Sequence, residues 1–242
     1  MRKFFAIATA VLLSIVSANA QYKMKVIQDD GSVSEFVVSK IKEVIWEKET
    51  HEWVDLGLPS GTKWATCNVG ANSPEEYGDY YAWGETETKS YYDWSTYKLC
   101  NGSDDTMNKY CNNIKWGTVD NKTVLDPEDD VAHVKWGGSW RMPTDAELTE
   151  LKEKCKWIWT SQNGTSGYKV ISNITGNYIF LPAAGCRSGS SLNDAGTYGY
   201  YWSASLIESY PGYAWNVSFS SSDVGRGNSS RYYGLSVRPV CP

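Results

Sequence analysis

Residues 140–155 have the sequence WRMPTDAELTELKEKC, which contains the clearest structural signal in the chain. Thr144 is a favoured helix N-cap residue, and Glu147 lies three positions later, where its carboxylate can return a hydrogen bond to the cap. The apolar positions that follow, Leu148, Leu151 and Cys155, have the spacing of one buried helical stripe. This stretch therefore predicts a helix over residues 145–154.

Outside this helix the sequence favours short strands separated by turns. Strands are predicted at 178–181, at 213–219 and at 235–240, and two more from Trp53 into a turn at Gly61 and over 63–69. Residues 71–135 show little periodicity, which indicates long ordered loops with one short helix near 74–77. The predicted fold class is therefore α+β: loop-rich, with short antiparallel sheets and one clear helix at about 145–154.

The N-terminal end predicts export. Arg2 and Lys3 precede an uncharged, almost wholly apolar run over residues 4–16, and Ala18-Asn19-Ala20 supplies small residues at a cleavage site. The run is too short to span a bilayer, which takes about 20 apolar residues. We therefore expect a signal peptide over 1–20 and a secreted or cell-surface protein.

Residues 21–50 predict a small β unit and linker. The turn signal Asp29-Asp30-Gly31-Ser32 lies between two apolar runs, which indicates a β-hairpin, and residues 41–45 suggest a further strand. The charged stretch 47–51 indicates a linker, so the main domain is expected over 51–242.

Composition limits the partners. The formal charge is −5 for the whole chain, which contains no basic block, and removing Arg2 and Lys3 would make it −7. This mild acidity argues against nucleic acid as a partner. Nothing after the leader is apolar enough to span a membrane. The 12 Trp and 17 Tyr bury much area each but carry one polar group that needs a partner.

The six cysteines predict disulfides, because an even count in an exported chain is typical of bridges. Cys100 and Cys111 flank one polar loop and are the first expected pair, and a Cys67–Cys241 bridge would join the ends of the domain. The alternative is free buried thiols. No CxxC pair occurs, so zinc ribbons and thioredoxin-type redox motifs have no support.

Several motifs carry a family resemblance. Residues 140–147 (WRMPTDAE) resemble the Arg-Leu-Pro-Thr-Glu-Ala-Glu signature of the formylglycine-generating-enzyme branch of the C-type lectin fold, and residues 231–240 resemble its closing strand. Residues 54–65, 81–85 and 201–205 (VDLGLPSGTKWA, YAWGE and YWSAS) resemble the Fibrobacter succinogenes major paralogous domain, a family of exported bacterial proteins.

This resemblance covers about residues 52–242 and implies a C-type-lectin-like fold with surface loops near the C-terminal strands. Related members are target proteins of diversity-generating retroelements, whose C-terminal loops vary to change the ligand. Adenine-directed variation of an Asn codon reaches Tyr, Ser, Asp and Gly, so this chain is a candidate for such variation.

Catalytic motifs are missing from the sequence. The two histidines, His51 and His133, cannot build a three-His metal site, and His133 is expected to be an exposed loop residue. No nucleophile elbow, phosphate loop or His-Glu-x-x-His motif occurs. The cysteines of the C-terminal half lack the copper-binding pattern of the formylglycine-generating enzymes. We therefore predict no enzyme and no catalytic residues, although paired carboxylates for glycoside hydrolysis need no proximity in sequence.

Two acidic clusters, at 104–105 and 126–130, are the candidates for Ca²⁺, which takes several oxygen ligands at once. Neither has EF-hand spacing, and the Glu-Pro-Asn and Trp-Asn-Asp triplets of calcium-dependent lectins are missing. We therefore expect solvated acidic loops, with no cofactor and no metal residues.

Residues 187–235 contain seven Tyr, twelve Ser, seven Gly and three Asn among 49 positions. Antibody-like paratopes favour these residues, because Tyr gives contact area at low entropic cost and the small residues give adaptable polar contacts. Trp202, Trp215, Phe219, Val237 and Pro239 are expected to form the framework. The predicted ligand-binding residues are Tyr198, Tyr200, Ser209, Tyr210, Tyr213, Asp223, Arg226, Asn228, Ser229, Tyr232 and Tyr233, with Gly212 displayed beside them.

The leading functional hypothesis is an exported ligand-binding or adhesion-type protein that presents these loops to an extracellular protein or glycan. The alternatives are an exported carbohydrate-active enzyme and an envelope structural protein without a discrete ligand.

Overall fold

The computed structural model describes residues 23–27, 33–38 and 51–242. Strands β1 (Lys23–Ile27) and β2 (Val33–Val37) pair antiparallel as the predicted hairpin. Lys25 and Glu35 lie opposite each other, with Nζ 3.1 Å from Oε1, a favourable cross-strand pair. The predicted signal peptide, the strand at 41–45 and linker residues 47–50 lie outside the described residues.

Residues 51–242 form a separate unit with short strands and few helices, in agreement with the predicted α+β class. The helices are α1 (Val131–Trp136) and α2 (Asp145–Lys154), with single 3-10 turns at Trp94–Thr96 and Ile114–Trp116. The strands are β3 (Trp53–Asp55), β4 (Lys63–Ala65), β5 (Cys155–Gln162), β6 (Thr165–Ser172), β7 (Tyr178–Pro182), β8 (Cys186–Ser188), β9 (Ser191–Asn193), β10 (Tyr198–Leu206), β11 (Tyr213–Ser220), β12 (Val224–Ser230) and β13 (Val240–Cys241).

These strands make four small antiparallel sheets in the unit. Two are meanders of consecutive strands, β5-β6-β7 and β10-β11-β12. The third has the order β13-β4-β3, so it pairs the last strand of the chain with the first two strands of the unit. The fourth is the β8-β9 hairpin, which begins four residues after β7.

Helix α2 confirms the sequence prediction at both ends. The Thr144 hydroxyl accepts the Glu147 backbone N–H, and the Glu147 carboxylate accepts the Thr144 backbone N–H over 2.8 Å. Both guanidinium NH groups of Arg141 also donate to Glu147, over 2.7 and 2.6 Å. Burial opposes ionisation of Glu147, but hydrogen bonds from Arg141, Thr144 and Thr62 outweigh it and lower the pKa of its carboxyl to about 2.

The sheet β10-β11-β12 separates two parts of the core, which it contacts through opposite faces. Tyr201, Val217 and Phe219 pack with the α2 residues Leu148 and Leu151 on one face. On the other face, the buried Trp202 and Ala214 pack in a second cluster with Leu235, Val237 and Trp83. The sheet is therefore buried on both faces near its centre, which explains its high aromatic content.

The C-terminal segment differs from the prediction of a strand over 235–240, because only Val240–Cys241 lies in a ladder. The segment passes from sheet to sheet and changes partner at almost every residue. Leu235 pairs with Tyr81, Ser236 pairs with Tyr201, and Val240 pairs with both Arg141 and Trp64. These isolated bridges link separate parts of the unit, whereas a continuous ladder would pair the segment with one neighbouring strand.

Three further predictions of local structure are wrong. Residues 74–77 form a turn rather than a helix, and β4 ends at Ala65 rather than at Val69. Helix α1 was expected to be loop. It forms because Asp130 caps it by accepting the backbone N–H groups of Ala132 and His133, and it places His133 half-buried with Nδ1 3.2 Å from the Trp140 carbonyl oxygen.

The predicted disulfides are also absent, since all six cysteines are free thiols. Cys100 and Cys111 are both buried, but each thiol is directed at a carbonyl of its own loop. The Cys100 Sγ donates to the Trp94 oxygen over 3.4 Å, and the Cys111 Sγ donates to the Asn113 oxygen over 3.2 Å. Cys67 is likewise free, as is Cys241 in β13.

Candidate functional site

The outer face of the β10-β11-β12 sheet carries a group of polar and aromatic side chains beyond the buried Trp202. Cross-strand pairing places Tyr198 opposite Ser220 and Tyr200 opposite Ser218 on this face, because paired residues point the same way. The Tyr198 and Tyr200 rings are stacked, with centroids 6.1 Å apart and planes inclined by 12°. This face is the reverse of the one that packs on α2.

An open cavity of about 410 Å³ lies against this face. Its lining comes from β8, from β9 and the residue after it, from β10, from β12 and from the C-terminal segment. The lining residues are Cys186, Ser188, Asn193, Asp194, Tyr200, Ser229, Tyr233 and Leu235. We call this the tyrosine cavity. Its size is in the range of small-molecule sites in proteins.

The β8-β9 hairpin forms one wall of the tyrosine cavity and is fixed from two sides. Gly189 at its turn exchanges two backbone hydrogen bonds with Tyr92, each of 2.8 Å. Arg187 exchanges two more with Gly234, of 2.8 and 3.0 Å. Because alternate residues of a strand face opposite ways, Arg187 points away from the cavity, and its guanidinium lies 5.2 Å from the centre of the Tyr80 ring.

Gly185, the residue before β8, lies very close to the end of β9. Its φ of +67° lies in the left-handed region, and an added Cβ would lie 2.0 Å from the Asn193 carbonyl oxygen. Only glycine fits this position. Gly185 therefore allows the start of β8 to lie against Asn193 and Asp194 at the end of β9.

The charge of the tyrosine cavity is carried by one group. Asp194 is its only acidic side chain, and among the described residues that line it none is Lys, Arg or His. Burial, with Asp194 nearby, raises the pKa of the Cys186 thiol to about 11. Burial, with Cys186 and Asp194 nearby, also raises the pKa of Tyr200 to about 12. At neutral pH both groups are therefore protonated, and the thiol is a poor nucleophile.

Ser229 is held by a residue behind the cavity. Asn216 is 2 % exposed, and its Nδ2 donates to the Ser229 Oγ over 3.0 Å. The Ser229 hydroxyl can still donate one hydrogen bond and accept another, and Ser229 lines the cavity. Gly227 leaves room for this arrangement, because a Cβ there would lie 2.6 Å from the Asn216 Oδ1.

The structure brings five of the predicted ligand-binding residues together. Tyr200, Ser229 and Tyr233 line the tyrosine cavity, and Tyr198 extends the aromatic face beside Tyr200. Tyr232 stacks on Tyr233 with ring centroids 4.6 Å apart and also packs edge-on against Trp94, at 5.0 Å.

A second group of predicted residues lies in the β10–β11 loop. The Tyr210 ring packs against Trp116 at 4.2 Å and Tyr213 at 5.0 Å, and its hydroxyl donates to Asp104 over 2.7 Å. Ser209 is exposed beside it, whereas Gly212 is buried rather than displayed. None of these residues lines the tyrosine cavity.

The remaining predicted residues lie outside the cavity as well. Arg226 joins the sheet to α2: its guanidinium lies 3.2 Å from the Trp215 ring centre and makes two hydrogen bonds to Asp145, of 2.8 and 2.7 Å. Asn228 pairs with Trp215 on this same face. Asp223 is exposed in the turn between β11 and β12. Of the predicted framework, Trp202, Phe219, Val237 and Pro239 are buried, and Trp215 is half-exposed beneath Arg226.

Five lining residues were not predicted: Cys186, Ser188, Asn193, Asp194 and Leu235. Asn193-Asp194-Ala195-Gly196 has turn-forming composition, and Asp194 adopts φ +59°, a conformation that Asn and Asp tolerate best. That composition could have signalled a displayed turn. The proximity of this turn to Tyr233 could not be derived from the sequence.

The acidic cluster at 126–130 is occupied by lysine side chains. Lys109 Nζ lies 2.8 Å from Asp126 and 2.5 Å from Asp129, and Lys122 Nζ lies 2.5 Å from Asp126. Asp130 accepts backbone N–H groups at the start of α1. Across the described part of the chain, no three His, Cys, Asp or Glu side chains are grouped to hold a metal ion.

One protein-family model matches the chain, over residues 153–240, and it describes a domain of unknown function (DUF8237). The match runs from the end of α2 to β13 and contains every residue that lines the tyrosine cavity. No curated protein and no solved structure gave a match. Among the described residues, no helix has the length and apolar character needed to cross a bilayer.

Proposed function

We propose that this protein is an exported binding protein whose unit 51–242 holds an extracellular ligand in the tyrosine cavity. The observation that carries the proposal is the convergence of Tyr200, Ser229 and Tyr233 on one open cavity, with Tyr198 stacked on Tyr200 beside it. The resemblance to the major paralogous domain family supports a C-type-lectin-like fold for the unit.

The residues behind the family resemblance have structural roles that support this proposal. Arg141 and Glu147 of the 140–147 motif fix the start of α2. Arg231 and Arg238 of the C-terminal motif are both buried, and their guanidinium groups donate to backbone carbonyls of distant loops. Arg141, Glu147, Arg231 and Arg238 therefore stabilise the scaffold, while Tyr233 and Leu235 of the C-terminal motif line the tyrosine cavity.

The chemistry of the cavity favours binding over catalysis. Glycoside hydrolysis commonly uses two carboxylates about 5–10 Å apart. The tyrosine cavity has one, Asp194, and Cys186 is protonated at neutral pH. The lining offers hydroxyl, amide and aromatic groups, which hold a ligand without reacting with it.

The test is a binding screen of the full chain against arrays of glycans and extracellular proteins. We expect at least one ligand whose binding is lost in the variants Tyr200→Ala and Tyr233→Ala. The matched control is Tyr178→Ala, which removes an equally large and more exposed tyrosine from the separate β5-β6-β7 sheet. Thermal unfolding of each variant verifies that the fold persists.

The proposal fails if every ligand found binds both cavity variants as tightly as the parent protein. Because Tyr210 lies in a different group, Tyr210→Ala is tested separately. Loss of binding in Tyr210→Ala alone would move the binding surface to the Trp116 loop.

A further inference from the structure

The polar groups at the mouth of the tyrosine cavity are available to a ligand. Within the described part of the chain, the side chains of Asn193, Asp194 and Tyr200 have no hydrogen-bond partner. Asn193 and Asp194 are exposed, so water satisfies them in the free protein. Ser229, whose oxygen accepts from the Asn216 Nδ2, adds a hydroxyl that can still donate. Hydroxyl, amide and carboxylate groups thus line one small volume.

An aromatic surface borders these polar groups. Tyr198 is 44 % exposed and stacks on Tyr200, which lines the cavity. A pyranose ring has one face of C–H groups that packs on an aromatic ring, and an edge of hydroxyl groups that each donate and accept. Its chemistry thus matches a cavity that combines a tyrosine face with a ring of hydroxyl, amide and carboxylate groups.

The charge of the site restricts which saccharides it can hold. The Asp194 carboxylate would repel a uronic, sialic or sulfate group, and no cation in the lining compensates it. A compact cation is disfavoured for a different reason: it takes several oxygen ligands at once. Asp194 is the only carboxylate among the described lining residues, and the Cys186 thiol and Tyr200 hydroxyl stay protonated at neutral pH.

We propose that the tyrosine cavity binds an uncharged saccharide end group without a metal ion and rejects acidic sugars through Asp194. The inference rests on the proposed binding function and specifies the ligand of the same site. Tyr198 and Tyr200 supply the stacking face. The Tyr200 hydroxyl, Ser229 and Asn193 hydrogen-bond the sugar hydroxyl groups, and Asp194 both accepts hydrogen bonds and selects against negative charge.

The test is binding of the full chain to matched oligosaccharides in calcium-free buffer with EDTA. The panel contains neutral hexose and N-acetylhexosamine chains, the same chains ended by uronic, sialic or sulfated sugars, and amine-bearing glucosamine and trimethylammonium probes. We expect a neutral oligosaccharide to bind at least about tenfold more tightly than its acidic counterpart, because one uncompensated like charge lowers the affinity by about that factor.

Two variants assign the selectivity to named groups. Asp194→Asn keeps the left-handed backbone that this position needs and removes only the charge. Asp194→Asn should narrow the difference in affinity between neutral and acidic oligosaccharides to about threefold or less. A purely structural role of Asp194 would leave that difference unchanged. Tyr200→Phe keeps the stacking ring and should weaken neutral saccharide binding about tenfold by removing one hydrogen bond.

The outcomes separate this inference from the proposed function. Equal or tighter binding of acidic chains, tighter binding of the amine-bearing probes, or a requirement for Ca²⁺ would each overturn the inference. If only a protein ligand is found and its binding depends on Tyr200 and Tyr233, the inference is wrong and the proposed function stands. If no ligand of any class depends on those tyrosines, both are wrong.

Discussion

Arg238 donates its Nε–H to the Asn68 Oδ1 over 2.8 Å, and the two residues are separated by 170 positions in the chain. The guanidinium is 1 % exposed and makes no ion pair within the described residues. Its other N–H groups donate to the carbonyls of Ala65, Thr66 and Phe180 over 2.6–3.0 Å. One buried side chain thus joins the C-terminal segment, the loop after β4 and strand β7.

Arg238→Met should lower the free energy of unfolding by about 3 kcal/mol or more, because several buried carbonyl oxygens would lose their donor. Urea unfolding monitored by tryptophan fluorescence measures this loss. Lys156→Met, the same kind of change at an exposed position of β5, is the control and should change the free energy of unfolding by less than about 0.5 kcal/mol. Equal stability of the two variants would contradict the role given to Arg238.

Glu147 makes stability depend on acid pH. Its carboxyl has a pKa of about 2 in the folded protein, lowered from 4.5. Its contribution to stability is therefore complete above pH 4.5, and it is lost as the pH falls from 4.5 through 2. A shift of this size corresponds to about 3 kcal/mol at neutral pH.

Glu147→Gln should therefore be less stable than the parent at pH 7 by a few kcal/mol, while the difference shrinks toward pH 2. Glutamine can still take part in a capping box, so the variant mainly removes the charge that pairs with Arg141. Unfolding midpoints measured across this pH range test the prediction, with the exposed Glu153→Gln as control. A stability difference that is constant with pH would disprove the linkage.

Gly185→Ala should destabilise the protein and distort the tyrosine cavity. The matched control is Gly176→Ala, because Gly176 has a similar φ of +78° but nothing within 4 Å of an added Cβ. Gly176→Ala should lower the free energy of unfolding by only about 1–2 kcal/mol, which is the cost of a left-handed backbone at a residue with a Cβ. Gly185→Ala adds a clash with the Asn193 carbonyl, so it should lose more stability and also weaken ligand binding. Equal losses in both variants would show that the close approach is unimportant.

All six cysteines should react as thiols. A non-reducing denaturing titration of the purified protein should find six thiols per chain, because the six side chains are free in the structure. In the native protein the half-buried Cys67 and Cys186 should react before the buried four, although the raised pKa of Cys186 keeps its reaction slow near neutral pH. Finding four thiols, with Cys100 and Cys111 joined in a peptide map, would restore the predicted bridge.

Local chemistry was sufficient to predict the elements whose determinants lie close together in the chain. The capping box of Thr144 and Glu147 gave both the start and the type of α2. The strand predicted at 213–219 is confirmed as β11, in which the structure shows that Val217 and Phe219 pack with α2. Helix α1 was missed because its six residues are held by a cap from Asp130 and by contacts that involve residues 140–142.

The candidate site was only partly predictable for a related reason. Composition identified the Tyr-, Ser- and Gly-rich region, but it could not show that Tyr200 and Tyr210 belong to separate groups or that Arg226 is engaged by Asp145. Those distinctions depend on the pairing register of β10, β11 and β12 and on which face meets α2. Register is fixed by packing of the whole sheet rather than by any one residue.

The sequence by itself therefore determined the α+β class, the hairpin, the helix at 145–154 and the region of chain that holds the candidate site. Only the tertiary structure decided that the β8-β9 hairpin, Tyr200, Ser229 and Tyr233 surround one cavity, and that Arg238 joins three distant segments. The physical reason is the separation in sequence between the groups that interact. Caps and alternation act over a few residues, whereas a cavity and a buried guanidinium are completed by groups up to 170 positions away, which become neighbours only when the core is packed.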